Sequence, residues 1–400
     1  MIRYTSAIAI NISVFLFMIG VGMIVSILPR KIILLTGSGS EVGYLASAFA
    51  VSYVLIQVPL GYWADRRGYR LFLSTGYFLC CLTGLLYYRA NRPEEIFLGR
   101  LIQGLGEAPI WALAPAMLSI QFARDKGKII GTYNALLHLG LTIGPLLGLL
   151  LFSPDQENYS FLLFAFLGFT GGILTILFVT NPEALPGTLQ QKPDSRRGCT
   201  FLKERGIPGV FLGIMLYGTG YGLSLTVIPA YLYTIKEFSR YSIGLYFTLF
   251  YVMISLTQTI SGFLSDRKGR TFFMAAGLLG TAVGFNLFFQ RDQAGTFILL
   301  ALASFGLGSF SVSSMAFLHE KVPDSLKGTL SGAYYLFWGL GFFLGPIIFG
   351  IVPPAGLGNG FRTLSLLLVL EALFLVLLAK ERRDPLSRTP DENIQDSQRS

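Results

Sequence analysis

Apolar residues along this chain gather into twelve long runs separated by short polar stretches. The runs fall at roughly 6–28, 41–63, 71–89, 95–121, 127–153, 160–180, 208–233, 241–264, 271–290, 295–320, 328–352 and 361–379. Each is long enough, at about 1.5 Å per helical residue, to cross a hydrocarbon core of about 30 Å. A segment in lipid must satisfy its own backbone polar groups, which a helix does internally. The pattern therefore predicts an all-α membrane protein with twelve transmembrane helices. The first run is longer than the apolar core of a signal peptide and is expected to stay as the first helix.

The polar punctuation repeats. Gly61-Tyr-Trp-Ala-Asp65-Arg66-Arg67-Gly68 returns 201 residues later as Gly262-Phe-Leu-Ser-Asp266-Arg267-Lys268-Gly269. Gly20, Gly22 and Pro29 have counterparts at Gly220, Gly222 and Pro229, and Gly43 at Gly244. Lys126-Gly127, Gly131 and Tyr133 match Lys327-Gly328, Gly332 and Tyr334, and Gly144-Pro145 matches Gly345-Pro346. Two parallel repeats are a known plan for transporters. The expected organisation is two pseudo-symmetric six-helix bundles at 1–180 and 208–380. A cytoplasmic linker is expected at 181–207 and a disordered cytoplasmic tail at 381–400.

Composition agrees with lipid as the main solvent: 52% of the residues are hydrophobic and 13% charged, against about 25% charged in soluble domains. The net charge of +9 is a matter of topology. Twelve spans put 22 of the 31 Lys and Arg in loops on one side and 8 on the other, with Arg100 inside a span. The Lys/Arg excess marks the cytoplasmic side, which places both termini there and argues against a nucleic-acid partner. The three cysteines, Cys80, Cys81 and Cys199, have no metal-ligand company and read as small packing residues.

The loop after the second span, with its copy at Leu264, Asp266, Arg267, Gly269 and Arg270, resembles the signature loop of the major facilitator superfamily. The first copy differs at Trp63 and Tyr69. In such a bundle, the resemblance implies, the halves meet through helices 2 and 11 and helices 5 and 8. Asp65 would then face the start of helix 11 and Asp266 the start of helix 5, closing the cytoplasmic side. Gly61, Asp65, Arg66, Gly68, Gly262, Asp266, Arg267 and Gly269 are accordingly gating candidates. In the fifth span Gly140, Gly144, Pro145 and Gly148 clear one helix face for close approach, and the proline bends the helix. This is similar to the antiporter motif of drug/proton exchangers, and would seal the extracellular side and imply export. Span 11 echoes it at Gly341, Gly345, Pro346 and Gly350.

The chemistry concentrates on span 4. Arg100, Gln103, Glu107 and Trp111 lie at i, i+3, i+7 and i+11, one stripe of a helix. Arg100-x-x-Gln103-Gly104 resembles the superfamily's fourth-helix motif, and Glu107-Ala108 followed by Ala114-Pro115 resembles spinster-type lipid transporters. Those also carry an acid in the first helix, where this chain has only Asn11 as a candidate polar group. A charge deep in the bilayer costs about 2.5–3.5 kcal/mol on insertion scales, so such groups usually face the protein interior and serve function. Glu107 is the proton-coupling candidate, with Arg100 tuning it or binding an anionic group of the solute. His138 is a second candidate because its ordinary titration range spans neutrality; Glu371 in span 12 is a more peripheral one, and His319-Glu320 is expected at the interface. Gln103, Trp111, Asn134, Tyr217, Tyr221 and Trp338 are the substrate-binding candidates, a set suited to an amphipathic solute.

No phosphate-binding loop is present, nor a metal cluster or a nucleophile-His-acid set, so no cofactor is expected and an enzyme is disfavoured. The expected function is secondary active transport of a small, amphipathic organic solute, first as proton-coupled efflux. Uptake by symport or facilitated diffusion, lipid or lysolipid flipping, and a sensor without flux are the alternatives. Protons, the solute and the bilayer are the expected partners, the expected site is a bacterial inner membrane, and the protein is expected to be a monomer.

Overall fold

A computed structural model describes residues 2–122, 126–181, 206–321 and 327–381. The first half contains α1 (Ile2–Thr36), α2 (Gly43–Arg67), α3 (Tyr69–Arg89), α4 (Pro93–Gln121), α5 (Lys126–Leu151) and α6 (Tyr159–Phe178). The second half begins with a helix broken at Thr226 into α7a (Ile207–Leu225) and α7b (Val227–Thr234). It continues with α8 (Arg240–Lys268), α9 (Arg270–Leu287), α10 (Gln293–Lys321), α11 (Lys327–Gly350) and α12 (Pro354–Glu381). Among the described residues, ten segments are long and apolar enough to cross a membrane on that ground alone. The other two, α2 and α4, are 25 and 29 residues long; α2 has an apolar stretch at Gly43–Gln57, and α4 is diluted by Arg100, Gln103 and Glu107. The fold is all-α, with twelve spans in two six-helix bundles.

The two halves pack by one scheme. In the first, α1 lies against α5 and α6, α3 against α4 and α6, and α2 against α4; in the second, α7 lies against α11 and α12, α9 against α10 and α12, and α8 against α10. Glycines permit the closest of these approaches. A Cβ at Gly140 would strike the Phe15 carbonyl and Met18, at Gly144 the Ile19 carbonyl, and at Gly148 the Met23 side chain. The glycine face of α5 is therefore turned towards α1 of its own half. The corresponding face of α11 meets α7a, with Gly341 against the Met215 carbonyl and Gly345 against Thr219.

The glycines that end the repeated loops have a different task. Gly68 at φ 89° and Gly269 at φ 98° each turn the chain from one helix into the next in a single residue. That backbone conformation is open to glycine and strained for other residues. The two turns are held differently. In the first half Asn181 accepts from the Arg70 N–H at 2.8 Å, and Arg70 donates to the Ile176 carbonyl. In the second, Arg270 pairs with Asp266, and with Glu320 at 2.9 Å, all within one half.

The halves meet along α2 with α11 and α5 with α8, and their tightest approaches cluster towards one end. Gly43 abuts the Pro346 carbonyl, its repeat counterpart Gly244 abuts Leu149, and Gly339 abuts Val54. The Ser47 hydroxyl donates to the Phe343 carbonyl at 2.7 Å. Beyond them Glu157 pairs with Arg30 of its own half and lies 3.4 Å from Arg240 of the other. Arg240 also donates to the Phe152 carbonyl, and Arg30 to the Tyr233 hydroxyl at 3.3 Å. Towards the basic end, a Cβ at Gly61, Gly131 or Gly332 would meet nothing within 4 Å, and one at Gly262 only Val312 of its own half. One end is shut, and among the described residues the basic end is open.

A side chain at Gly43 should therefore hold the shut end apart. With spin labels at Gln156 and Ala294, Gly43→Val is expected to lengthen the mean label distance, whereas Gly131→Ala should leave it unchanged. Equal distances in Gly43→Val and the wild type would count against this.

The linker and tail expected at 181–207 and 381–400 fall largely outside the described residues, as do the side chains of Asp65, of Lys126 to Lys128 and of Lys327 to Thr329. The pairings expected of Asp65 with the start of helix 11 and of Asp266 with the start of helix 5 lie with them.

Candidate functional site

Between the halves lies a cavity of about 570 Å³, walled by α1, α2, α4 and α5 on one side and by α7a, α8, α10 and α11 on the other. This size is in the range of small-molecule sites. All nine residues expected to couple protons or touch substrate line it: Arg100, Gln103, Glu107, Trp111, Asn134, His138, Tyr217, Tyr221 and Trp338.

The α4 stripe forms one hydrogen-bonded chain. Arg100 Nε donates to the Leu45 carbonyl of α2 at 2.9 Å, and its guanidinium sits 4.7 Å from the centroid of the Phe49 ring. Another Arg100 nitrogen donates to Gln103 Oε1 at 3.0 Å, and the Tyr87 hydroxyl donates to the same oxygen at 2.7 Å. The Gln103 amide donates to Glu107 Oε1 at 2.7 Å, and the Trp111 indole N–H to Glu107 Oε2 at 3.0 Å. Arg100, Gln103 and Glu107 are 6%, 0% and 3% exposed. Two turns separate the two charges and Gln103 bridges them, so the guanidinium and the carboxylate form no ion pair. Buried polar groups left without partners cost about 1–3 kcal/mol each, and this chain of bonds meets that demand.

The opposite wall is aromatic. Trp338 stacks on Phe342 with centroids 4.9 Å apart, and Tyr221 lies edge-on to Trp338 at 6.0 Å and to Phe250 at 5.2 Å. At the shut end of the cavity Phe49 and Tyr53 of α2 reach Phe342 and Trp338 at 6.3 and 6.2 Å. Tyr133 is not on the wall; it is buried, and its hydroxyl donates to the Ile110 carbonyl at 2.7 Å. His319, expected at the interface, lines the cavity, within 3.1 Å of the Ser331 hydroxyl. Glu371 is buried away from the cavity, beside Gly213 and Phe310.

Phe49, Tyr53, Ser311 and Phe342 also line the cavity, and sequence reasoning did not single them out. A signal existed for two of them, since Phe49 and Tyr53 sit one turn apart on α2, a helix expected to meet the other half. Among the gating candidates, Asp266 and Arg267 are exposed at the open end, and Gly140, Gly144 and Gly148 pack within the first half. At the shut end the halves meet through Gly43 against the gating candidate Pro346, Gly244 against Leu149, and the Arg30–Glu157–Arg240 cluster.

Two six-helix bundles related by a chain repeat, enclosing one central cavity with buried charges on its wall, define a membrane transporter. The chain belongs to the Major Facilitator Superfamily, whose family profile matches residues 10–208 and 210–397. It is similar to Multidrug resistance protein 1 of Bacillus subtilis, with 23% identity over 85% of this chain and 87% of that one. It is also similar, at 23% identity over 78% of this chain and 80% of the other, to the probable galactarate/D-glucarate transporter of Escherichia coli. Among solved structures, a bacterial homologue of the human lysosomal transporter Spinster, in an inward-facing and occupied conformation, superposes with a TM-score of 0.76. That match covers 97% of this chain and 99% of the other at 19% identity, a likeness of fold.

Proposed function

We propose that this protein is a proton-coupled exporter of a small, amphipathic organic solute, working by alternating access in a bacterial inner membrane. The observation that carries the reading is Glu107, a carboxyl buried on the cavity wall and held by neutral donors. A carboxyl held by neutral donors, with the nearest guanidinium one side chain away, can exchange a proton as its surroundings change between the two facing states. The aromatic wall opposite suits a solute with a flat apolar part. The drug-resistance name of one relative agrees with export. With the Lys/Arg-rich loops in the cytoplasm and both termini there, the open basic end makes this the inward-facing state. The repeated Asp-Arg loops would then latch in the outward-facing state, when the basic end closes.

A second reading, proton-linked uptake of an organic anion, is favoured by one feature. Arg100 has no carboxylate at ion-pair distance among the described residues, which leaves its charge available to an anionic solute. The sugar-acid name of another relative points the same way.

Comparative metabolite profiling, inside cells and in the medium, of strains with and without the gene separates the two. Export predicts that a solute builds up inside the deletion strain; uptake predicts that it is depleted there and left in the medium. An unchanged profile under conditions where the wild-type strain makes the protein would sink both.

A further inference from the structure

Glu107 takes one donor on each oxygen, and the two donors are differently constrained. Gln103 is fixed in its orientation: its Oε1 receives Arg100 and the Tyr87 hydroxyl, and a guanidinium can only donate. The amide nitrogen must therefore face Glu107. On the other oxygen stands the Trp111 indole, which also can only donate. Both carboxyl oxygens act as acceptors, as in the ionised form.

A proton turns one of these oxygens into a hydroxyl, a poor acceptor, and the donor on that oxygen loses its bond. Loss on the Gln103 side would leave the amide facing an unwilling acceptor at a site with no solvent exposure. Turning the amide over would set its NH2 group against the N–H groups of Arg100. Loss on the Trp111 side is cheaper. The indole is only part-buried and already lines the cavity.

We propose that Trp111 is the coupling residue through which proton and solute exclude one another. Protonation of Glu107 releases the indole into the space the solute uses, and a solute that holds the indole on the carboxylate keeps Glu107 ionised. This role rests on Glu107 as the proton site and deepens that reading. Around the carboxyl, Arg100 is the fixed charge. Tyr53 of α2, Cys80 and Tyr87 of α3, and Tyr221 and Tyr251 of α7a and α8 are ordinarily neutral near pH 7. His138 of α5 and His319 of α10 are the other wall groups that ordinarily titrate near neutrality.

The chain has three tryptophans, at 63, 111 and 338, so 5-fluorotryptophan gives three fluorine resonances in the full protein in lipid nanodiscs. The Trp111 signal is assigned by its loss in Trp111→Phe. In the wild type it should move between two positions as pH is lowered from 9 to 5. It should stay still in Glu107→Gln and still move in His138→Gln, with the other two resonances reporting that each variant is folded. The distance between spin labels at Gln156 and Ala294 is followed over the same pH range. If that distance responds to pH through Glu107 while the Trp111 signal is stationary, or moves equally in Glu107→Gln, the role of Trp111 is overturned and the proton site stands. If neither responds through Glu107, both fall.

Discussion

Glu107→Gln is expected to abolish accumulation driven by a pH gradient while leaving exchange of solute for solute across the membrane. One pH unit is worth about 1.4 kcal/mol per proton, roughly a tenfold gradient of a neutral solute at one proton per turnover. The variant should bring that ratio to about one. The amide preserves the size of the site, and its oxygen can still receive the Gln103 donor while its NH2 stands, like the hydroxyl of the protonated acid, where the Trp111 donor was received, so folding and the cavity should survive. What it removes is the site for a proton. In proteoliposomes, with the solute found by profiling, the measurement is accumulation with and without an imposed pH gradient. Persistence of the wild-type gradient dependence would move the coupling to another group, His138 first.

Arg240→Ala should shift the protein away from the inward-open form. Arg240 is the cation by which the second half holds the shut end, through Glu157 and the Phe152 carbonyl of the first half, and its side chain is 10% exposed. Glu157 keeps Arg30 when the halves part, so opening breaks the bonds of Arg240 and spares that pair. A charge-assisted bond of this kind contributes about 1.5–3 kcal/mol, roughly ten- to hundredfold in a two-state equilibrium. The label distance between Gln156 and Ala294 should lengthen accordingly. Combining Arg240→Glu with Glu157→Arg keeps two guanidiniums around one carboxylate but moves the carboxylate to the other half. That double variant should recover most of the short distance, and a failure to recover it would leave Arg240 as a local packing residue.

The architecture was readable in the chain because hydrocarbon imposes a length on every span and because duplication left glycines and charges in register. The α4 stripe was readable for a related reason, since few other polar residues occur at helical spacing inside an apolar run. The shut end was not. Arg30, Glu157 and Arg240 stand more than 80 positions apart, each beside a loop where a charge needs no explanation. Gly140, Gly144 and Gly148 announced a close approach, yet glycine spacing does not say which helix approaches, and the neighbour is α1. Phe49 and Phe342 were missed because lipid and a cavity both accept aromatic residues. His319 was placed at the interface because it sits near the end of α10, although the cavity reaches that far.

The break at Thr226 makes the two halves mechanically unequal. The first half presents α1 as one continuous helix of 35 residues that runs through Pro29 and carries Arg30. In the second half the matching helix ends in the eight-residue α7b, which carries Tyr233, the partner of Arg30. A short lever on a bent backbone can tilt without displacing the rest of its bundle. The protein thus has the means to pass through a stage in which the mouth yields by one flap before the halves rock.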